Sequence, residues 1–337
     1  MSLKVRLIAL VAVCLAAVGG GVGYLVASRN HQKDVARHAP PVAQMSLAAV
    51  ESQPRIVFVN KALGSSYGSV AMAPLSKLDG PRAISSTSCD RVYATAADVL
   101  CLSSDPGVVT TYAAHVLDNT FKATQKLPLT GIPSRARLSG DGKFAATTSF
   151  TSGDSYAGTS FSTRTVITPV AGKSLGSLEN FTLIHNGESI KPVDRNYWGV
   201  TFAADDDTFF VTAEWSKHTW LARGSLSQHR IVTLHEDAEC PSLSPDGKTI
   251  VYKQRGNLPA GRWRLVAFDI ASGKVTPLAE TRSVDDQVEW LDDNTVMYGL
   301  NRTGTQTATS DVWAVPADGT GTARLLIPQA WSPAVVR

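Results

Sequence analysis

A chain of 337 residues exceeds what one hydrophobic core usually serves, unless the fold is a barrel or propeller whose repeated sheets each bury their own faces. Hydrophobic residues make up 43% and charged residues only 18%, with 26 Gly and 17 Pro. This balance favours strands and tight turns and excludes coiled coils and bulk disorder. The 32 Lys and Arg stand against 29 Asp and Glu, a formal charge of +3; there is no basic excess to neutralise a phosphate backbone, and nucleic acid is not expected as a partner.

Leu7 to Ala27 is an uncharged run of 21 residues, long enough at about 1.5 Å per residue to cross a hydrocarbon core of about 30 Å. Lys4 and Arg6 precede it and Arg29, Lys33 and Arg37 follow it, so the positive-inside bias is nearly balanced. Two fates compete for residues 1–28: a retained signal anchor, or a signal peptide cut after Ala27 or Ser28. The run outlasts the usual signal-peptide core of about 7–15 residues, which favours the anchor. Cys14 within it reads as a buried apolar thiol. Residues 29–53, with Pro40-Pro41 and little periodicity, read as a tether, with a short helix over Val42 to Val50. A large polar β-rich body with two nearby cysteines suits an oxidising space. The expected location is therefore the cytoplasmic membrane, crossed once, with the body outside; cleavage would leave it secreted.

Residues 54–337 show short β-branched runs broken by Gly, Asp and Pro, such as Arg55-Ile56-Val57-Phe58-Val59 and Thr249-Ile250-Val251-Tyr252, which are strands. The clearest unit runs from Pro241 to Glu280. An apolar strand enters the turn Ser244-Pro245-Asp246-Gly247, and strands follow at 250–252, 264–268 and 274–278. In that turn Pro245 presets φ, Asp246 accepts nearby N–H groups and Gly247 supplies the left-handed conformation. Weaker copies centre on positions 98, 141, 206 and 293, giving spacings of 43, 65, 40 and 47. Such periods, with four strands each, signify propeller blades.

The unit 241–280, with its Ser-Pro-Asp-Gly turn and its final Gly-Lys-Val-Thr-Pro-Leu, resembles the WD40-like repeat of the TolB family of periplasmic β-propellers. The resemblance implies an all-β, six-bladed propeller here, without the α/β domain that precedes the propeller in that family; the family's own partners are not carried over. Five units fall at 88–130, 134–187, 196–236, 239–280 and 286–328. The sixth, at 55–86, lacks a first strand. Trp331 to Val336 is in register to supply it, closing the ring from the C-terminus. The long interval between 141 and 206 holds an insertion, spread over 151–164 and 184–197.

Cys89 and Cys101 flank the first hairpin of their blade and are expected to be bridged, leaving Cys240 free. Gly172-Lys173-Ser174-Leu175-Gly176 matches a nucleophile elbow, but it joins two strands where an elbow joins strand to helix, so an ordinary turn is expected. The seven histidines form no metal-binding spacing, and Asp205-Asp206-Asp207 and Asp292-Asp293-Asn294 sit where carboxylates cap turns. No catalytic set, metal or cofactor is expected. The sequons Asn180-Phe181-Thr182 and Asn301-Arg302-Thr303 carry little meaning in the bacterial protein that the resemblance implies, and tryptophans such as Trp215 and Trp220 read as wedges between blades. The long loops emerge on one face and carry Tyr156, Arg195, Tyr197, Trp198, Arg255, Arg262 and Arg302, a mixture suited to an anionic or glycan-like ligand or a protein loop. The sequence therefore points to a monomeric, membrane-tethered binding module for a protein or cell-envelope polymer. The alternative is a propeller hydrolase or lyase with its site in the central channel, whose residues would come from separate blades.

Overall fold

The structure is a computed structural model that describes residues 3–38, 42–107, 109–151, 162–304 and 309–337. It divides into two units, Met1–Val42 with Ala62–Tyr67, and Ala43–Lys61 with Gly68–Arg337. In the first, Leu3–His38 forms one helix, α1. Its apolar side chains Leu10, Val13, Leu15, Val18 and Val22 are exposed. Among the described residues no helix is long and apolar enough to cross a membrane; the side chains of Leu7, Ile8, Ala9, Val11 and Leu25, all within the apolar run, lie outside the described set.

The second unit is an all-β propeller of six sheets. Blade 1 holds β1 (Gln44–Met45), β2 (Arg55–Asn60), β3 (Ser69–Pro74) and β4 (Arg82–Ser88). Blade 2 holds β5 (Arg91–Ala94), β6 (Val99–Pro106), β7 (Thr110–Leu117) and β8 (Ala123–Leu127), and blade 3 holds β9 (Ile132–Leu138), β10 (Phe144–Thr151) and β11 (Ser162–Pro169). Blade 4 is the largest, with β12 (Thr182–His185), β13 (Glu188–Ile190), β14 (Asn196–Phe202), β15 (Thr208–Trp215), β16 (His218–Ser225) and β17 (Arg230–Glu236). Blade 5 comprises β18 (Glu239–Leu243), β19 (Thr249–Gln254), β20 (Arg264–Asp269) and β21 (Val275–Pro277); blade 6 comprises β22 (Glu289–Trp290), β23 (Thr295–Asn301), β24 (Ser310–Pro316) and β25 (Arg324–Ile327). The last strand, β26 (Ala330–Val336), returns to blade 1 and pairs antiparallel with β2, Arg55 opposite Val336 and Asn60 opposite Ala330.

Strand alternation makes the ring. Successive side chains point to opposite faces, so Ile56 and Phe58 pack with Met297, Val312 and Ala314 of blade 6, while Val57 and Val59 pack with Val92, Val99 and Cys101 of blade 2. The pattern repeats around the axis, giving one apolar cluster between each pair of neighbouring blades. Six thin cores replace one thick one.

Two local readings are corrected. The segment 42–50 is not one short helix: Gln44 and Met45 pair parallel with Arg82 and Ala83 at the outer edge of blade 1, and only Ala48–Glu51 is helical. An unpaired outer strand recruits any extended neighbour that can supply backbone hydrogen bonds. For the same reason residues 182–187 do not end the third unit. The hairpin β12–β13 turns on Asn186 and Gly187, both at positive φ, and β12 adds parallel to β17 of blade 4. Blade 3 keeps three strands, its outer edge met by a bridge from Val166 to Ser177.

Blades 3 and 5 share one turn chemistry. Ser244 Oγ donates to Asp246 at 2.6 Å, and Asp246 and Ser244 accept from the backbone N–H groups of Lys248 and Thr249. The Ser139–Gly142 turn repeats this arrangement with Asp141, Lys143 and Phe144, and Gly142 and Gly247 are both at positive φ.

Two links secure the seams. Cys89 and Cys101 are joined by a disulfide, with Cα atoms 5.5 Å apart, while Cys240 is a buried free thiol. Arg82, 3% exposed, donates to Asn60 Oδ1 at 3.0 Å and to the carbonyls of Gln329 and Pro328 at 3.0 and 2.7 Å, tying blade 1 to the connection that leads into β26. Burial without an acidic partner pulls its guanidinium down to about 10.

Removing residues 330–337 should cost several kcal/mol and favour aggregation, because it turns β2 into an exposed apolar edge. Thermal melts of full and shortened chains check this; an unchanged melting temperature with no self-association would contradict it. Replacing both Cys89 and Cys101 by Ser should lower stability by roughly 3 kcal/mol in the chain-entropy model, read by denaturant unfolding, and a loss below about 0.5 kcal/mol would show that the bridge constrains little.

Candidate functional site

The innermost strands of the six blades, β26, β5, β9, β14, β18 and β22, surround the axis. Two of them approach closely. Gly199 sits at positive φ in a bulge of β14, and a Cβ there would lie 2.7 Å from the Cα of Cys240, itself at positive φ in a bulge of β18. Only glycine accommodates that approach.

The connection from blade 5 to blade 6, Val284–Glu289, reaches four other blades. Asp286 pairs with Arg91 of blade 2 at 2.8 Å. Glu289 pairs with Arg137 of blade 3 and accepts from the Tyr93 hydroxyl at 3.2 Å. Asp285 pairs with Lys253 of blade 5 at 2.6 Å. Gln287 donates to the carbonyls of Val200 in blade 4 and Pro241 in blade 5, at 3.0 and 2.7 Å. Arg137 also donates to the Val288 carbonyl at 3.1 Å and lies over the Tyr93 ring, and Arg91 lies over Trp331 of β26. The buried carboxylates of Asp286 and Glu289 thus each face a cation, as buried charges must, and the exposed Asp285 meets the buried ammonium of Lys253. Burial nonetheless pushes the Glu289 carboxyl above its ordinary range despite Arg137, and burial together with Glu289 pushes the Tyr93 hydroxyl up to about 12.

Two cavities meet at this web. A narrow polar one is lined by Arg91, Arg135 and Asp286 among others; a wider one opens among the turns that join the first two strands of blades 3, 4 and 5. Tyr93, Arg137 and Glu289 line both and so form the partition between them. The wider cavity carries apolar Phe202, Phe210, Leu243 and Trp290 beside Arg223, Asp205 and Arg337.

Of the residues singled out from the loops, Arg195, Tyr197, Trp198, Arg255, Arg262 and Arg302 occupy the opposite ends of their strands from those turns. Tyr156 lies outside the described residues. Tyr197 is not a surface residue: it is 1% exposed and packs with Val200, Phe209 and Val211, because strand alternation turns it into the wall between blades 3 and 4. Trp198 is half-buried. Arg195 is held by the carbonyls of Pro192 and Glu179, and Arg302 by Asp311; Arg255 and Arg262 are exposed. Arg195, Arg255, Arg262 and Arg302 belong to three blades, and no cavity described above brings them together. Ser174 accepts from Gly176 N–H at 3.0 Å, a turn contact, and Asp205 caps the N–H groups of Asp207 and Thr208. Trp215 and Trp220 do not wedge two blades apart; they stack on each other within blade 4, with His185 against both. Among the described residues no group of three His, Cys, Asp or Glu could hold a metal ion.

The axial residues Arg91, Arg135, Arg137, Asp285, Asp286 and Glu289 escaped the reading of motifs, since they are scattered over 199 positions. One signal was available: Arg135-Ala136-Arg137 and Asp285-Asp286-Gln287-Val288-Glu289 concentrate charges in the first strand of a blade or the segment entering it.

Comparison with solved structures bears on the fold. TolB from Acinetobacter baumannii superposes with a TM-score of 0.57 at 17% identity, covering 84% of this chain. The fold is that of the TolB-like six-bladed β-propellers. The chain spans 66% of the length of that TolB. A chain of the nidogen/laminin complex matches with a TM-score of 0.55 at 9% identity, over 84% of this chain and 98% of that one. A TolB-like protein from Agrobacterium tumefaciens gives 0.48 at 11% identity, over 83% of this chain and 91% of that one. No family model and no curated protein matches the sequence.

In this TolB-like ring, Arg137→Met should strand Glu289 without its cation and cost about 3–5 kcal/mol at pH 8. The sign with pH follows from the raised carboxyl: the penalty belongs to ionised Glu289, so it should shrink as pH falls and the group takes up a proton. Arg137→Met with Glu289→Leu should recover most of the loss. Chemical unfolding of the three proteins decides; a single variant as stable as the parent would show that the pair does not hold the channel.

Proposed function

We propose that this chain is a non-catalytic binding module, held at the outer face of the cytoplasmic membrane by residues 7–27, that receives a segment of a protein or envelope polymer in the wide cavity at the turn end of its channel. The observation that carries this reading is the composition of that cavity. Its floor is a charge pair already neutralised by the protein itself, and its walls mix aromatic and aliphatic surface with rim charges, the make-up of a surface that buries side chains of a partner. A chain of the nidogen/laminin complex has a related fold, so a propeller of this kind occurs in a protein–protein assembly. The exposed apolar side chains on α1 are suited to lipid.

A photo-crosslinking residue placed at Phe202 or Arg223, on the wall of the cavity, should give a discrete adduct in cells, whereas one at Arg262, on the opposite face, should not. Adducts from Arg262 alone would move the binding face to the long loops. Fractionation of the same cells should find the protein in the membrane with residues 1–28 attached; a soluble extracytoplasmic protein beginning near Arg29 would mean the segment is removed.

One observation favours the second reading, a propeller hydrolase or lyase: Glu289 is a buried carboxyl raised above its ordinary range beside a cavity, a property that acid catalysts share. Hydrolysis of a peptide or glycoside panel that is abolished by Glu289→Gln would establish it.

A further inference from the structure

Strand alternation turns Ala145, Thr147 and Ser149 of β10 to one face. Ala145 meets the apolar cluster with Leu100, Leu102 and Val116 of blade 2. Beyond it that apolar packing stops, and a cleft opens between the chain leaving β8 and blade 3. Its wall carries the hydroxyls of Thr147, Ser149, Ser174 and Ser177 and the guanidinium of Arg164, with Leu129 alongside and no carboxylate.

The hydrogen-bond capacity of these groups is largely unspent. Ser149 Oγ donates to the Thr130 carbonyl at 2.7 Å. Ser174 and Ser177 accept from the backbone N–H groups of Gly176 and Glu179, at 3.0 and 3.3 Å, and so each keeps an O–H to donate. Thr147, only 3% exposed as a residue, lines the cleft, and its hydroxyl is engaged by no described residue. Arg164 is exposed and pairs with no described acid. Three O–H donors and one guanidinium face a space in which the missing element is an acceptor bearing negative charge. A tetrahedral oxyanion, with terminal oxygens in several directions, accepts from such a set more fully than a planar carboxylate does, and the apolar side of Leu129 suits a carbon skeleton.

We propose that the cleft between blades 2 and 3 binds a phosphoryl group carried on a polyol or sugar, with Arg164 and Thr147 as its principal donors. The site stands apart from the channel and does not depend on the function proposed for it. Titration calorimetry on the full chain in detergent, with glycerol 3-phosphate, inorganic phosphate, acetate and glycerol as probes, tests it. Glycerol 3-phosphate should bind more tightly than inorganic phosphate or acetate, and glycerol not at all. Thr147→Val and Arg164→Met should each weaken binding by at least about tenfold, the usual worth of a hydrogen bond to a charged group, with unchanged melting temperatures. Thr147→Ser should keep it, and Arg255→Met, a charge lost elsewhere, should leave it unaltered. Absence of heat with both phosphate probes at about 10 mM, weaker than most specific sites, would overturn the proposal. So would an equal loss in Arg255→Met, which would mark general charge attraction, or acetate binding as well as the phosphate ester. Inorganic phosphate matching the ester would overturn the polyol or sugar part.

Discussion

The backbone ladder between Ala330–Val336 and Arg55–Asn60 is the constraint on which the rest of the molecule depends. A ring of sheets has no natural end, and each apolar cluster exists only because two blades press on it from either side. Open one seam, and the clusters of Ile56 and Phe58 on one side and Val57 and Val59 on the other lose the strand that holds their wall in place. The seam is reinforced where chain termini would otherwise fray: Arg82 grips the carbonyls just before β26, and Ser332 exchanges hydrogen bonds with Val92 in blade 2. A backbone ladder suits this task because it satisfies the N–H and C=O groups that the two strands turn toward each other, which side-chain packing alone cannot do.

Closure also fixes the axis. The innermost strands line the axis, and their polar side chains converge where solvent is scarce, so charge has to be matched there. The segment Val284–Glu289 does the matching from one blade, sending Asp285, Asp286 and Glu289 to cations on blades 2, 3 and 5 and Gln287 to two carbonyls. Charge pairs of this kind give little net stability but penalise any arrangement in which partners separate. They act here as a register device: a blade shifted by one residue would leave a buried charge unmatched. The same web divides the channel, leaving a wide compartment toward the turns and a narrow polar one beyond it.

The blade repeat was legible because its turn chemistry is local. Ser244-Pro245-Asp246-Gly247 announces itself in four consecutive residues, and alternation in Arg55–Val59 shows which side chains face which neighbour. What lay beyond the sequence was long-range. The hairpin Thr182–Ile190 has strand character wherever it lands, and only the vacant outer edge of blade 4 decides that it joins β17. Tyr197 reads as a loop aromatic by position and is core by one step of register. The axial web is the strongest case: Arg91 and Asp286 are ordinary charged residues until the ring brings blades 2 and 6 together. Loop composition, by contrast, carries no geometry: Arg195 and Arg302 spend donors on neighbouring carbonyls and on Asp311, which the residue types alone do not show.

Hydrogen exchange of the backbone amides in Arg55–Asn60 tests ring closure most directly. An interior strand, paired with β3 on one side and β26 on the other, should have successive amides protected alike, to the level of global unfolding. If instead every second amide exchanged as fast as an open loop, the strand would be an edge, and the closed six-bladed ring described above would be wrong.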